Sequence, residues 1–378
     1  MKKVFFSTMP VLFLLFPLFA HTAFWMPSGL FSLGNESSLT VSGQPERGEL
    51  AASKVQARIA EAKRLLAAQS APASDFVTLA AEDPTTAQIH LLTLPKETFL
   101  AKGAEAALTS SLGSTVRLRV VRANGVNTAV TVFDNTAGRE LMPLVVRYPI
   151  VRDGVVTETA YYTSAHPATE SPELARDGRA YIRRMLDEAA RRLQEKGTRI
   201  EPGIINVAER LCVVEHTDHL RFKTEDRAAL FNEISTLYAL NARDTYRYSI
   251  SSAGAGGMVQ MIPQTYKAVR SLHPEAGLKE DFVSGMQDHG NALEAMLLYM
   301  QDTWDKLLRE EQVVRALDSQ LATQEELLAA GYNSNPVRLS RYLERGESRW
   351  RTLIPRETQM YLQIYAAVDS LVPMGARS

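Results

Sequence analysis

Residues 249–265 of this 378-residue chain read SISSAGAGGMVQMIPQT. Gly254, Gly256 and Gly257 stand close together between a serine-rich start and a Met-x-Pro-x-Thr end. Because glycine has no side chain, such a loop lets the backbone approach a ligand closely. A phosphate-binding loop is the competing interpretation, but no Lys-Ser/Thr pair follows the glycines and no βαβ unit surrounds them. The stretch therefore indicates close backbone contact with a ligand other than a phosphate.

The segment before this loop predicts a helix that begins near Pro202. Its apolar residues fall on one side when projected at about 100° per residue: Ile204, Ile205, Val207, Ala208, Leu211 and Cys212. Glu215 falls on the same side, one turn beyond Leu211. A carboxyl group on a buried face either finds a partner or has a raised pKa, and a raised pKa suits a general acid. From the helix alone, a frayed end where Glu215 faces water or pairs with Arg221 is an equal alternative.

Glu233 is the alternative candidate for such an acid. It lies in a predicted helix at about 225–241, at the edge of the apolar side of that helix. Glutamates at such an edge usually face solvent. We therefore prefer Glu215 and keep Glu233 as the alternative.

Two further motifs follow downstream. Residues 329–336 read AAGYNSNP, and residues 354–361 read IPRETQMY. Tyr332 and Asn333 would supply an aromatic platform and an amide. Tyr361 lies on a predicted helix with other apolar residues, so core packing is the alternative to a role in a site.

Together, the three motifs resemble the signature segments of lytic transglycosylases, in the same order. In that family a serine precedes Gly-Ala-x-Gly-Leu-Met-Gln and Met-x-Pro-x-Thr, and Ala-Tyr-Asn-Ala-Gly-Pro and Glu-Thr-x-x-Tyr follow. The resemblance covers roughly residues 200–372 and implies a mostly helical domain similar to goose-type lysozyme. It also implies cleavage of the β-1,4 bond between N-acetylmuramic acid and N-acetylglucosamine in peptidoglycan, with 1,6-anhydro ends and without cofactor or metal.

The resemblance assigns roles to particular residues of this chain. It makes Glu215 the catalytic acid and directs the Tyr361 hydroxyl at that carboxyl group. The substrate-binding residues that it implies are Ser252, Gly254, Met258, Gln260, Tyr332, Asn333 and Tyr361.

The chain also departs from the family pattern. His216 stands where the family has serine, and Glu215 lies about forty residues before Gly254, farther than the family spacing. We interpret the extra length as an inserted helix at about 225–241, and if that is wrong, Glu233 is the acid. His216, Asp218 and His219 lack the His-Glu-x-x-His spacing of a zinc site, so loop residues are expected there.

Two other functions remain open at this point. A lysozyme-type hydrolase of the same bond needs a second carboxylate, for which Asp218, Asp226 and Asp244 are available. A non-catalytic protein that only binds murein is the alternative from another class.

The predicted fold class is α+β, with residues 75–198 as a small mixed domain before a lysozyme-like domain at 199–378. Alternating runs flank Asn124-Gly125 and Asp153-Gly154 and predict two hairpins, and a helix is predicted from Pro172 to Lys196. This domain carries no catalytic constellation. Its role is open, with contact to proteins of the cell-wall machinery as one candidate.

The chain begins with the pattern of a secretory signal. Residues 1–23 combine Lys2 and Lys3 with an apolar run and small residues, and residues 24–74 predict a tether followed by a helix from Glu46 to Ala68. We expect export to the periplasm, with an uncleaved membrane anchor as the alternative. Cys212 is the only cysteine, so no disulfide forms within the chain. The net charge of −1 offers no basic field for nucleic acid.

Overall fold

A sheet-rich N-terminal part and a helical C-terminal part make up the described chain, as the α+β prediction requires. The computed structural model describes residues 44–70 and 73–377, with side chains from residue 52 onward. The predicted signal peptide and most of the predicted tether lie outside these residues. Within them, no helix has the length and apolar character needed to cross a membrane.

The first helix packs on the sheet. Helix α1 spans Gln44–Ala68, in agreement with the helix predicted from Glu46, and buries Ile59, Ala62 and Leu66. At its end, the guanidinium of Arg147 donates to the carbonyl oxygens of Leu66 and Gln69, at 2.6 Å and 3.0 Å. Arg147 therefore satisfies carbonyls that a helix end leaves without partners.

Seven antiparallel strands form the sheet, in the order β2-β1-β6-β5-β4-β3, with β7 paired to β6. They span β1 Phe76–Glu82, β2 Ile89–Pro95, β3 Glu105–Thr109, β4 Thr115–Arg122, β5 Ala129–Asp134, β6 Arg139–Arg152 and β7 Val155–Tyr162, with the short helix α2 at Lys96–Phe99. In β4, buried and exposed residues alternate because successive side chains point to opposite faces. Both predicted hairpins are confirmed, as β4–β5 and β6–β7.

The helical part follows. Its helices are α3 Pro172–Glu195, α4 Pro202–Val214, α5 His219–Thr224, α6 Arg227–Asn241, α7 Pro263–Leu272, α8 Phe282–Gln287, α9 His289–Leu307, α10 Glu311–Asp318, α11 Gln324–Asn333, α12 Leu339–Gly346, α13 Trp350–Leu353 and α14 Arg356–Leu371. The helix predicted at about 225–241 is present as α6.

Helix α3 joins the helical part, although the predicted boundary at 198/199 places it with the sheet. It packs mainly on α6 and α9. A Cβ on Gly178 would stand 1.7 Å from the carbonyl oxygen of Ser235, so the α3 and α6 backbones touch at this crossing. The described residues form one compact unit, and one buried core runs from the sheet into the helices.

Candidate active site

Helix α4 carries Glu215 on its last turn. All six residues of the predicted apolar side are buried, and the helix packs against α14, α11, α3 and α9. Glu215 is the C-terminal cap of α4, so its backbone is fixed by a helix that is enclosed by other helices. The chain therefore delivers this carboxyl group to the inside of the helical part.

The environment of Glu215 favours its neutral form. Burial raises the pKa of this carboxyl to about 8; the hydrogen bond from Tyr361 acts in the opposite direction, and the negative charge of Glu357 raises the pKa further. The Tyr361 hydroxyl donates to Glu215 Oε1 at 2.5 Å, which is the contact expected from the sequence motif. The frayed-end interpretation is wrong, because Arg221 bonds Glu225 and Glu233 instead.

Glu233 lies in a very different environment. Arg221 donates to both of its carboxylate oxygens, at 2.8 Å and 2.6 Å, and Arg122 donates at 3.1 Å. Burial favours the neutral acid, but the hydrogen bonds and charges of the two arginines outweigh it, so the pKa of Glu233 is lowered. A carboxylate held ionised in this way joins β4 to α6 and is poorly suited to donate a proton.

A cavity of about 610 Å³ opens beside Glu215, and we call it the acid cavity. Of the predicted site residues, Gln260, Tyr332 and Asn333 line it together with Glu215. The remaining lining residues are Ser251, Ala253, Ala255, Met261, Ile262, Thr265, Tyr299, Ser334, Asn335, Pro336 and Glu357. Glu215 keeps partial access to this space although it is largely enclosed. The cavity therefore combines a protonated acid with amide, hydroxyl and aromatic groups.

One glycine of the loop is required by packing within the protein. Gly257 has φ +68°, and a Cβ there would stand 2.3 Å from the carbonyl oxygen of Met286. The glycine therefore lets the loop pack closely against α8. Gln260 also braces the loop, because its amide donates to Gly257 O at 2.8 Å and Ser249 Oγ at 3.3 Å.

Four predicted binding residues are not part of the lining of the acid cavity, and one of them is Tyr361, which is buried and contacts Glu215 instead. Ser252 is exposed, and neither it nor Gly254 is part of the lining; the neighbouring Ser251 takes that place. The side chain of Met258 is fully buried, so its assignment to substrate binding is wrong. Its carbonyl oxygen instead pairs with His216 Nε2 at 2.9 Å.

Two of the residues weighed as a metal site, His216 and Asp218, have structural roles. The ring of His216 stacks on Tyr246, with centroids 3.4 Å apart, and burial lowers its pKa to about 3. Asp218 caps α5 by accepting from the backbone N–H of Leu220 and Arg221. These side chains hold the turn after Glu215 in place.

No protein-family model, curated protein or solved structure matches this chain. Its function is therefore inferred from the residues around Glu215 and from the three sequence motifs.

Glu357 is a site residue that the sequence reasoning missed. It lies in the first turn of α14 and lines the acid cavity with Glu215. The aspartates considered as a second carboxylate do other work, since Asp226 caps α6 and Asp244 lies 3.9 Å from Arg247. The sequence carries a signal for this residue, because Glu357 stands in the same Glu-Thr-x-x-Tyr motif as Tyr361.

Proposed function

We propose that this protein cleaves the glycan strand of peptidoglycan as a lytic transglycosylase, with its helical part as a lysozyme-like domain. One observation carries the proposal: Glu215 is enclosed, favoured in its neutral form and bonded to Tyr361 at the wall of the acid cavity. A general acid for glycosidic cleavage needs such a raised pKa. The three motifs support the choice of substrate.

In the proposed reaction, Glu215 gives its proton to the glycosidic oxygen while the bond from that oxygen to C1 of N-acetylmuramic acid breaks. The N-acetyl group of the same sugar stabilises the positive charge that develops at C1. The resulting Glu215 carboxylate then takes the proton of the C6 hydroxyl, and the C6 oxygen bonds to C1. Glu215 ends protonated again, and no water is consumed.

Tyr361 and the amides have supporting roles in this scheme. The Tyr361 hydroxyl donates to Oε1, so it orients the acid and stabilises the carboxylate formed in the first step. The side chain of Asn333 lines the same cavity and offers both a donor and an acceptor for N-acetyl and hydroxyl groups. Tyr332 is itself held in place, since its hydroxyl donates to Val259 O at 2.7 Å.

A hydrolase of the same bond is the second candidate, and Glu357 is the observation that favours it. A second carboxylate can act as a nucleophile or activate water, at separations of roughly 5–5.5 Å or 6.5–9.5 Å from the acid. Glu357 lines the same cavity as Glu215. In that reaction the new sugar end would carry the elements of water.

Product analysis separates the two reactions. The purified full-length chain is incubated with murein sacculi, and the soluble fragments are weighed by mass spectrometry. Fragments lighter by one water at the muramic end support the transglycosylase, whereas reducing ends support the hydrolase. Binding of sacculi without any soluble product would leave only the murein-binding protein.

Two glutamine variants test the assignment of the acid. Glu215→Gln keeps the volume and the hydrogen-bond acceptor for Tyr361 but cannot donate its proton, so we expect no turnover and retained binding to sacculi. Glu233→Gln is the matched control, with circular dichroism to verify its fold. Loss of turnover in folded Glu233→Gln, with full activity in Glu215→Gln, would contradict the proposal.

The proposed substrate requires delivery to the cell wall. The pattern of residues 1–23 supports export to the periplasm as part of the proposal. Fractionation of cells that produce the full chain tests this, and recovery of the protein in the cytoplasm alone would contradict it.

A further inference from the structure

A second cavity, of about 360 Å³, lies where the sheet meets the glycine loop. The sheet side contributes Lys96, Tyr148 and Arg152, and the helical side contributes Ile250 and Phe282. Ile250 is 69% exposed and adds apolar surface to the helical side of this cavity. The sheet-rich part, which has no role in the proposed chemistry, therefore supplies a wall of a site.

One loop of the chain lines both the second cavity and the acid cavity. Ile250 lines the second cavity and the adjacent Ser251 lines the acid cavity. On the return of the loop, Ala255 lines the acid cavity and the adjacent Gly256 lines the second cavity. Because the two cavities share this loop, a branched molecule bound in one of them has its branch close to the other.

The charge of the second cavity is one-sided. Three cationic residues line it, and no aspartate or glutamate of the described chain does. Arg247 is neutralised by Glu158 at 3.0 Å just outside the lining. Among the residues that the structure describes, Lys96 has only uncharged partners: its Nζ donates to Pro149 O at 2.8 Å and lies 4.2 Å from the centre of the Tyr148 ring.

Arg152 is the third cation of this lining. It makes no ion pair with a carboxylate in the described chain, and its charge reaches Asp281 only at longer range. Two cations without a carboxylate partner, beside aromatic and aliphatic walls, form a surface complementary to a ligand that carries carboxylates on an apolar frame.

We infer that the second cavity binds the peptide branch of murein, with its free carboxylates at Lys96 and Arg152. This inference rests on the proposed function, since the peptide is attached to the same sugar whose bond is cleaved. Four extended residues span about 13 Å, so a peptide attached to a sugar in the acid cavity can reach beyond the shared loop. The sheet-rich part then helps to bind the peptide, while the helical part cleaves the glycan.

The experiment compares two substrates and three proteins. The substrates are murein glycan with its peptides and the same glycan after an amidase has removed them. The proteins are the full chain, the double variant Lys96→Met with Arg152→Gln, and the control Lys102→Met with Arg117→Gln. The control removes two exposed cations from the same part of the chain, outside both cavities.

We expect the Lys96/Arg152 variant to lose about tenfold in kcat/KM on peptide-bearing glycan, since it lacks two charge-assisted contacts. Its activity on stripped glycan should equal that of the unmodified chain, and the control variant should match the unmodified chain on both. Calorimetry with free murein tetrapeptide should give binding to the unmodified chain and none to the Lys96/Arg152 variant.

The outcomes separate the two proposals. Activity of the unmodified chain on both glycans, with the same ratio in the Lys96/Arg152 variant, would overturn the peptide site and keep the enzyme. Peptide binding without cleavage of either glycan would overturn the enzyme and keep the peptide site. Cleavage without peptide binding, together with capture of an acidic protein segment that depends on Lys96, would assign the cavity to another partner and overturn the inference.

Discussion

Replacement of Glu215 by glutamine should stabilise the fold, and by an amount that grows with pH. The pKa of Glu215 is raised by burial from about 4.5 to about 8 in the folded protein. A group with a raised pKa binds its proton more tightly when folded, so its contribution to stability is full below pH 4.5. That contribution is lost as the pH rises toward and through 8. Glutamine stays neutral at every pH and escapes the loss.

The two pKa values set the magnitude. At pH 7, which is about 2.5 units above the pKa of the unfolded carboxyl, the unfolded group is ionised, whereas the folded one is still mostly protonated. This difference corresponds to about 3 kcal/mol of unfolding free energy. Glu215 has partial access to the acid cavity, and solvent there weakens the effect, so we expect about 2 kcal/mol. The difference between the variant and the unmodified chain should therefore increase by this amount from pH 4.5 to pH 7.

Urea denaturation of both proteins at several pH values between 4.5 and 8.5 measures this difference. Glu233→Gln is the control whose stability difference should stay flat over this range, because the pKa of Glu233 is lowered. Its carboxylate stabilises the fold above pH 4.5 and loses that effect as the pH falls through the lowered pKa. A stability difference for Glu215→Gln that stays flat across this range would refute the buried, protonated acid.

Three further predictions concern the same site. Glu357→Gln removes a negative charge that raises the pKa of Glu215, so the alkaline limb of the kcat/KM profile should move to lower pH. An unmoved limb would show that the charge of Glu357 does not act on Glu215. Tyr361→Phe removes the hydrogen bond that lowers this pKa, so the limb should move to higher pH while kcat falls about tenfold or more; a shift to lower pH would contradict the geometry. Gly257→Ala forces a Cβ to 2.3 Å from a backbone oxygen at positive φ and should cost about 2–4 kcal/mol of unfolding free energy. Gly254→Ala, at φ +78° with open space around it, should cost only about 1 kcal/mol, and equal losses in urea denaturation would show that crowding is irrelevant.

Local periodicity was enough to predict the elements that hold the acid. The apolar side of α4 repeats at helical spacing, and burial follows from that repeat, so Glu215 could be singled out. The two hairpins were predictable for the same reason, since alternation and the Asn-Gly and Asp-Gly turns are local properties. The position of Tyr361 beside Glu215, 146 residues apart along the chain, came from the motif resemblance.

Features that depend on packing between distant segments of the chain could not be predicted from the sequence. Met258 lies in an irregular loop, where spacing does not tell which side chains face inward. Glu209 is buried on α4 and bonds Arg183 and Arg377, yet nothing in the sequence near it indicates a partner in the C-terminal tail. The second cavity joins strands to a loop about one hundred residues later, a meeting that no local pattern encodes.

The hydrogen bond between Glu215 and Tyr361 joins the end of α4 to α14. During synthesis, α4 emerges well before α14. A partly made chain therefore contains Glu215 but lacks the Tyr361 hydroxyl that orients it. Proteolysis that removes α14 would likewise leave Glu215 without the Tyr361 hydroxyl. Under the proposed function, the acid would therefore be oriented for catalysis only after α14 has folded.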